Sequence, residues 1–221
     1  MGHLKFILLL VIAFVSNSCQ SKSKNEKAVV RETKIEVQDL GKYETAYFAS
    51  GCFWCVESIF ESVKGVKEVI SGYSGGTEKN PTYEEVGRGL THHAESVEVF
   101  YDPKEVSYTT LVKVFFGSMD PTALNYQGPD HGAQYRSIAF YKNDSEKQII
   151  ESYISKLEKE KVYNKPIATQ VIKFSHFYKA EDYHQDYEKH HPDNPYVRNV
   201  TIPRLEDFRK KFPELLKPGL K

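Results

Sequence analysis

The sequence has no excess of either charge, no internal repeat and no second Cys-x-x-C motif. Lys plus Arg and Asp plus Glu each number 30 among its 221 residues, so no overall field would draw the chain onto nucleic acid. Hydrophobic residues make up 40% of the chain, which at this length is enough for one domain with a real core. Because charge and composition identify no partner, the function has to be read from a local site.

The N-terminus also lacks an apolar run long enough to span a membrane comfortably. The run at residues 6–15 is only about ten residues long, which is typical of the hydrophobic region of a signal peptide. It is followed by Ser16-Asn17-Ser18-Cys19, an order similar to the processing site of bacterial lipoproteins. We expect residues 1–18 to be a lipoprotein-type signal peptide and Cys19 to be lipidated. A plain signal peptide or an uncleaved anchor is the alternative.

The segment at residues 19–43 begins with a polar, charged stretch that has few large apolar side chains. Such a stretch cannot bury enough surface to offset the entropy of ordering, so we expect a flexible tether. A multiply acylated Cys19 would then hold the folded part beside a membrane without spanning it. This predicts a location in the bacterial cell envelope, facing the periplasm or the cell surface.

Hydrophobic periodicity predicts an α+β domain over residues 44–195. Strands are predicted at residues 44–50, 66–73, 94–101, 136–141 and 168–174. Helices are predicted after Cys52, after Ser107 and after Ser145, where Ser145 and Gln148 form a capping-box pattern. This order favours a two-layer sandwich with a mixed sheet and a ferredoxin-like (split βαβ) core. Residues 196–221, with a basic stretch at 209–211, are expected to form a C-terminal extension with a solvated flank.

The most informative local feature is Cys52-Phe53-Trp54-Cys55, which opens the first predicted helix directly after a strand. Unpaired backbone N–H groups and the positive end of the helix dipole favour a thiolate at Cys52. We therefore expect a lowered pKa at Cys52, which makes it the predicted nucleophile. Cys55 lies three residues on, within reach to form a disulfide with it.

The Cys-x-x-C spacing alone leaves several chemistries open. A zinc-binding envelope module would need further ligands, and the candidates are the adjacent pairs His92-His93 and His190-His191. Adjacent residues point to opposite sides of an extended chain, which weakens the zinc interpretation, and no metal is predicted. A thioredoxin-like dithiol oxidoreductase is the other alternative, because Cys-x-x-C after a strand is its signature.

Five sequence blocks follow one another in the predicted domain. They are GCFWCVE at 51–57, GYSGG at 72–76, NPTY at 80–83, HAE at 93–95 and DHGAQYRS at 130–137. Together they resemble the A-type family of peptide methionine-S-sulfoxide reductases, from about residue 45 to residue 195. The resemblance implies an oxidoreductase that converts the S epimer of methionine sulfoxide, free or within proteins, to methionine.

The resemblance also implies roles for individual residues. Cys52 would be the nucleophile, and Glu95, with a pKa raised by burial, would protonate the sulfoxide oxygen. Tyr83 and Tyr135 would donate hydrogen bonds to the charge that develops on that oxygen. A monomer without a bound cofactor is expected.

The aromatic and acidic residues near these positions would bind the substrate. Phe53 and Trp54 would cup its methyl group and help to select one epimer, although core packing is the alternative for Phe53. Asp130 would support the site by hydrogen bonding, and His131 is expected to be structural.

The chain differs from many family members in the cysteine that would regenerate the enzyme. Many family members have Gly where this chain has Cys55, and they use cysteines near the C-terminus to resolve the sulfenic acid that forms on the nucleophile. This chain has no cysteine after Cys55. We therefore expect Cys55 to be the resolving thiol and an external thioredoxin-like dithiol to reduce the disulfide. Direct attack of that reductant on the sulfenic acid is the alternative.

Overall fold

The fold is built on one six-stranded sheet, seen in a computed structural model that describes residues 37–220. The predicted signal peptide, the predicted lipidated Cys19 and residues 20–36 of the predicted tether lie outside the described residues. The end of that predicted tether is folded, because Val37–Lys42 forms a 3-10 helix in which Leu40 is buried.

The sheet is mixed, as predicted. Its strands and those of a separate two-stranded ribbon are β1 (Glu44–Ala49), β2 (Val66–Ser74), β3 (Ala94–Tyr101), β4 (Tyr126–Gln127), β5 (Asp130–His131), β6 (Ile138–Tyr141), β7 (Gln170–Lys173) and β8 (Phe177–Lys179). The sheet order is β7-β6-β1-β3-β2-β8, and β4 pairs only with β5. Strands β6 and β7 are parallel and all other pairs are antiparallel. The predicted α+β class is confirmed, and the central order β6-β1-β3-β2 is compatible with the predicted ferredoxin-like core.

Six α-helices surround the sheet within the described part of the chain. They are α1 (Phe53–Glu61), α2 (Tyr83–Gly87), α3 (Tyr108–Gly117), α4 (Asp144–Lys159), α5 (Tyr187–His190) and α6 (Ile202–Lys211). Ser107 caps α3 as predicted, by accepting a hydrogen bond from the Thr110 N–H. The predicted start of α4 at Ser145 is wrong, because Asn143 caps it by accepting from the Glu146 N–H.

Helices α2, α5 and α6 were not predicted, although the sequence carries a signal for α2 and for α6. Helix α2 has a complete capping box, in which the side chains of Thr82 and Glu85 each accept from the other's backbone N–H. Helix α6 places Leu205 and Phe208 three residues apart on its buried face. Residues 196–220 thus contribute buried side chains to the packed core. In the basic stretch at 209–211, Lys210 and Lys211 are exposed as expected of a solvated flank, whereas Arg209 is half-buried.

Aromatic packing holds α1 and α3 against the sheet. The ring of Phe48 on β1 stacks on Phe60 of α1, with centroids 5.1 Å apart, and on Phe115 of α3, 5.0 Å away. This buried cluster fixes α1 relative to β1 and therefore fixes the turn that joins them. Among residues 37–220, no helix combines the length and apolarity needed to cross a membrane.

Candidate active site

The turn between β1 and α1 places Cys52 at the start of the helix. Gly51 has a φ of +82°, which favours glycine, and a Cβ there would lie 2.6 Å from Cβ of Gln127. Cys52 is the N-cap residue of α1, and the N–H groups of Cys55 and Val56 donate to its carbonyl. The sequence prediction that Cys52 opens a helix after a strand is confirmed.

Glu95 on β3 is held beside this helix start. Its Oε2 accepts a hydrogen bond from the Phe53 N–H at 3.0 Å, and the residue is only 2% exposed. Burial raises the pKa of Glu95 to about 8, although that hydrogen bond opposes the rise. The carboxyl group is therefore mostly protonated at neutral pH and can act as a proton donor.

Cys52 and Cys55 form a buried, hydrogen-bonded pair, with 6% and 1% of their surfaces exposed. Burial raises the pKa of the Cys52 thiol, whereas the hydrogen bond from Cys52 lowers the pKa of Cys55 to about 6. The expected lowering of the Cys52 pKa by the helix start is wrong, because removal from water outweighs it in the closed pocket. Of the two thiols, Cys55 is therefore the more acidic.

A cavity of about 280 Å³ lies over Cys52 and brings most of the predicted residues together. It is lined by Cys52, Phe53, Trp54, Tyr83, Glu95, Asp130, Tyr135, Asn194 and Tyr196. Every predicted catalytic or substrate-binding residue except Cys55 lines it, and Cys55 interacts with Cys52. Asn194 and Tyr196 were not predicted.

The two tyrosines predicted as hydrogen-bond donors are protonated in this cavity. Burial and then the charge of Glu95 raise the pKa of Tyr83 to about 12, and the same two causes raise the pKa of Tyr135. Tyr83 starts α2, where its N–H donates to Glu181 at 3.0 Å. Both hydroxyl groups therefore keep a proton to donate to a bound oxygen.

One wall of the cavity is aromatic. The Trp54 ring stacks on Tyr187 with centroids 3.8 Å apart, and its Nε1 donates to Nδ1 of His184 at 3.2 Å. Phe53 is 1% exposed and belongs to the hydrophobic core, so it both packs and forms part of the wall. His184 and Tyr187 were not predicted, because they lie in none of the five sequence blocks.

Asp130 is tied to a residue from the C-terminal segment. The Tyr196 hydroxyl donates to Oδ2 of Asp130 at 2.5 Å, and Tyr196 also lowers the pKa of the Cys52 thiol, against the larger effect of burial. Burial raises the pKa of Asp130, while the bond from Tyr196 opposes the rise. His131 is exposed and stacks on Tyr126 with centroids 5.3 Å apart, away from this contact.

The zinc-binding alternative gains no support from this geometry. Within residues 37–220, no group of three or more His, Cys, Asp or Glu side chains is placed to hold a metal ion. The ring of His93 is buried and accepts from the Gly76 N–H, while His92 contacts Glu78 at the surface. Neither histidine completes a zinc site with the two cysteines.

Comparison with known proteins decides the family. A family model described as peptide methionine sulfoxide reductase matches residues 44–216. The chain belongs to this family. Peptide methionine sulfoxide reductase MsrA of Polynucleobacter asymbioticus is 44% identical over 185 residues, which cover 84% of this chain and 97% of the relative. MsrA 2 of Mesorhizobium japonicum is 49% identical over 173 residues, covering 78% and 89%.

Solved structures agree with this assignment of the fold. Methionine sulfoxide reductase A of Corynebacterium diphtheriae superposes with a TM-score of 0.61 at 35% identity, covering 67% of this chain and 75% of that chain. The peptide methionine sulfoxide reductase match extends to residue 216, so it includes Asn194, Tyr196 and helix α6. The unpredicted cavity residues therefore belong to the part of the chain that the family shares.

Proposed function

We propose that this chain reduces the S epimer of methionine sulfoxide to methionine, with Cys52 as the nucleophile. The observation that carries the proposal is the placement of buried Glu95 beside the helix start that holds Cys52, within one 280 Å³ cavity. A sulfoxide sulfur is a poor electrophile until its oxygen is protonated. A thiol and a protonated carboxyl group in one small cavity supply both parts of that reaction.

The reductive step uses five side chains. Cys52 attacks the substrate sulfur while its own proton passes to the hydrogen-bonded sulfur of Cys55. Glu95 protonates the oxygen, and Tyr83 and Tyr135 donate hydrogen bonds that strengthen as charge develops there. The protonated oxygen then passes from the substrate sulfur to the sulfur of Cys52 as the transient sulfur–sulfur bond breaks, which releases methionine and leaves Cys52 as a sulfenic acid.

Epimer selection follows from the two unlike sides of the cavity. The substrate methyl group would pack on the wall of Phe53 and Trp54, whereas its oxygen would face Glu95 and the tyrosines. The other epimer would exchange these groups, placing the oxygen on the aromatic wall without a hydrogen bond. Asp130, held by Tyr196, adds a further polar group to the lining of the cavity.

Regeneration would use Cys55 and an external thioredoxin-like dithiol. Cys55 attacks the sulfenic acid to form a disulfide, which the external dithiol then reduces. The reductase would act on methionine sulfoxide in oxidised proteins as well as on the free amino acid, as a monomer.

The function is tested with separated S and R epimers of a methionine sulfoxide derivative and dithiothreitol. We expect the S epimer alone to be consumed by the intact chain, and neither epimer by Cys52→Ser. Consumption of both epimers, or reduction of insulin disulfides without sulfoxide reduction, would contradict the proposal. The second result would favour the dithiol oxidoreductase that Cys-x-x-C alone permits.

We also propose that Cys19 carries a lipid that holds the enzyme at a membrane of the cell envelope. The support is the order of a charged start, an apolar run of about ten residues and a cysteine after small or polar residues. In a bacterial host, the intact chain should incorporate labelled palmitate and sediment with membranes. Cys19→Ser should lose both properties, and unchanged labelling of that variant would contradict the proposal.

A further inference from the structure

Cys55 does not line the substrate cavity, and within the hydrophobic core it has one polar side chain as a neighbour. Its Sγ is 3.3 Å from Oγ1 of Thr201, and neither residue is accessible to solvent to more than 1%. Thr201 ends a π-helical turn, Val197–Thr201, directly before α6. A cysteine that merely filled space in an apolar core would not need a buried hydroxyl group at hydrogen-bond distance.

Arg204, one turn further along, brings a positive charge to the same place. Its Nε donates to the Ser118 carbonyl at 2.9 Å, and its Nη2 donates to the Ser50 carbonyl at 3.0 Å. These acceptors are uncharged, so neither of them neutralises the guanidinium group. Asp130 also interacts with Arg204, but it raises the pKa of Cys55 by less than Arg204 lowers it. The charge of Arg204 and the hydroxyl of Thr201 both add to the lowering of the Cys55 pKa that its bond from Cys52 causes.

We propose that Thr201 and Arg204 form a thiolate-stabilising site that makes Cys55 both the resolving nucleophile and the leaving group of the redox cycle. The inference rests on the proposed function, because it concerns the step that follows sulfoxide reduction. The Cys55 thiol loses its proton, its sulfur attacks the sulfenic sulfur of Cys52, and the S–OH bond breaks. The departing hydroxide takes up the proton as water, and a Cys52–Cys55 disulfide remains.

The same site directs reduction of that disulfide. An attacking thiolate of the external dithiol can reach Cys52, which borders the cavity, more readily than Cys55, which does not. Attack at Cys52 forms a mixed disulfide and expels Cys55 as a thiolate, which Thr201 and Arg204 stabilise. The second thiol of the reductant then attacks the mixed disulfide, so that Cys52 is released reduced and the reductant leaves as its own disulfide.

The first test compares Thr201→Val with Thr201→Ser. Each protein is mixed with methionine S-sulfoxide in the absence of reductant. We measure the rate of disulfide formation and, in a parallel sample that contains dimedone, the amount of sulfenic acid that is trapped. Rates are normalised to the fraction of protein that releases methionine. We expect disulfide formation about tenfold or more slower in Thr201→Val, with more dimedone adduct on Cys52, and a rate near that of the parent in Thr201→Ser.

Equal disulfide rates in the parent and in Thr201→Val would overturn the inference while leaving the proposed function intact. Absence of any methionine release by the parent would instead overturn the proposed function.

A second measurement needs no change at Thr201. The oxidised parent protein is treated with a thioredoxin variant whose second active-site cysteine is replaced by serine, and the trapped mixed disulfide is mapped by mass spectrometry. We expect the bond at Cys52, with Cys55 free to alkylate. A bond at Cys55 would contradict its role as the leaving group, even if Thr201→Val does not fold.

Discussion

The backbone N–H of Phe53 donates a 3.0 Å hydrogen bond to Oε2 of Glu95, across 42 positions of sequence. The bond ties the start of α1, where Cys52 is the N-cap, to the central strand β3 of the sheet. The nucleophile and the proton donor therefore occupy fixed positions before any substrate binds. The bond also gives an acceptor to one of the otherwise unpaired N–H groups at the helix start. The other carboxyl oxygen of Glu95 is left for the substrate.

The first prediction concerns Glu95→Gln. The amide keeps the shape and can still accept from Phe53, but it has no acidic proton, so the reductive step should slow by about 100-fold or more. Stopped-flow measurement of methionine release provides the rate. A rate near that of the parent would mean that the proton comes from another group.

The pH dependence of the parent enzyme provides a second check on Glu95. Because burial raises the pKa of Glu95 to about 8, the protonated, active form dominates below that pH and is lost as the pH rises through it. The rate of methionine release should fall above about pH 8, and this fall should be absent in Glu95→Gln. A rate that stayed constant up to pH 9 would contradict the assignment.

Cys55→Ser separates reduction from regeneration. The variant should still release about one methionine per enzyme, because Cys52 and Glu95 are unchanged, although a weaker proton acceptor next to Cys52 should slow the release. Steady-state turnover with a thioredoxin-like reductant should be much slower, since no internal disulfide can form. Undiminished turnover would remove Cys55 from the cycle and indicate direct attack of the reductant on the sulfenic acid.

Gly51→Ala tests the turn that positions Cys52. A side chain at this positive φ would meet Gln127 at 2.6 Å, so we expect a loss of about 2 kcal/mol or more in the free energy of unfolding. That loss corresponds to a fall in Tm of roughly 4–8 °C for a domain of this size. Gly87→Ala is the matched control, because no atom lies within 4 Å of the added Cβ and its φ is not positive. Equal effects of both changes would contradict the account of the turn.

The buried carboxyl group of Glu57 should make the free energy of unfolding depend on pH. This buried residue of α1 accepts from the Asp186 N–H at 3.1 Å, and burial raises its pKa well above 4.5. The folded state therefore holds a proton that the unfolded state gives up, so Glu57 lowers stability as the pH rises above about 4.5. Glu57→Gln should gain stability relative to the parent between pH 5 and pH 8.

Urea denaturation at pH 5 and pH 8 measures this difference. The same change at the exposed Glu206 is the control, and it should shift the two midpoints equally. A difference between parent and Glu57→Gln that is the same at both pH values would show that Glu57 is not protonated in the folded state.

Much of the framework of the site follows from local sequence signals. The change from strand period to helical period at Gly51-Cys52 predicts the turn, and the five blocks predict Glu95, Tyr83, Tyr135 and Asp130, which the cavity brings together. These residues lie within or beside regular elements, whose hydrophobic periodicity is readable from one sequence.

The C-terminal contribution could not be predicted in the same way. Tyr196 and Thr201 reach the site through a π-helical turn and a long-range contact, neither of which has a short sequence signal. The pKa of Cys52 was also beyond prediction, because it depends on burial by residues distant in sequence rather than on its place at a helix start.

The most direct test of the central claim is a single turnover with no reductant present. Enzyme is mixed with excess methionine S-sulfoxide, released methionine is counted per active site, and the state of Cys52 is read by mass spectrometry. The account predicts about one methionine per enzyme, Cys52 converted to a sulfenic acid or a disulfide, and no methionine from Cys52→Ser. Release of methionine by Cys52→Ser at the parental level would contradict it.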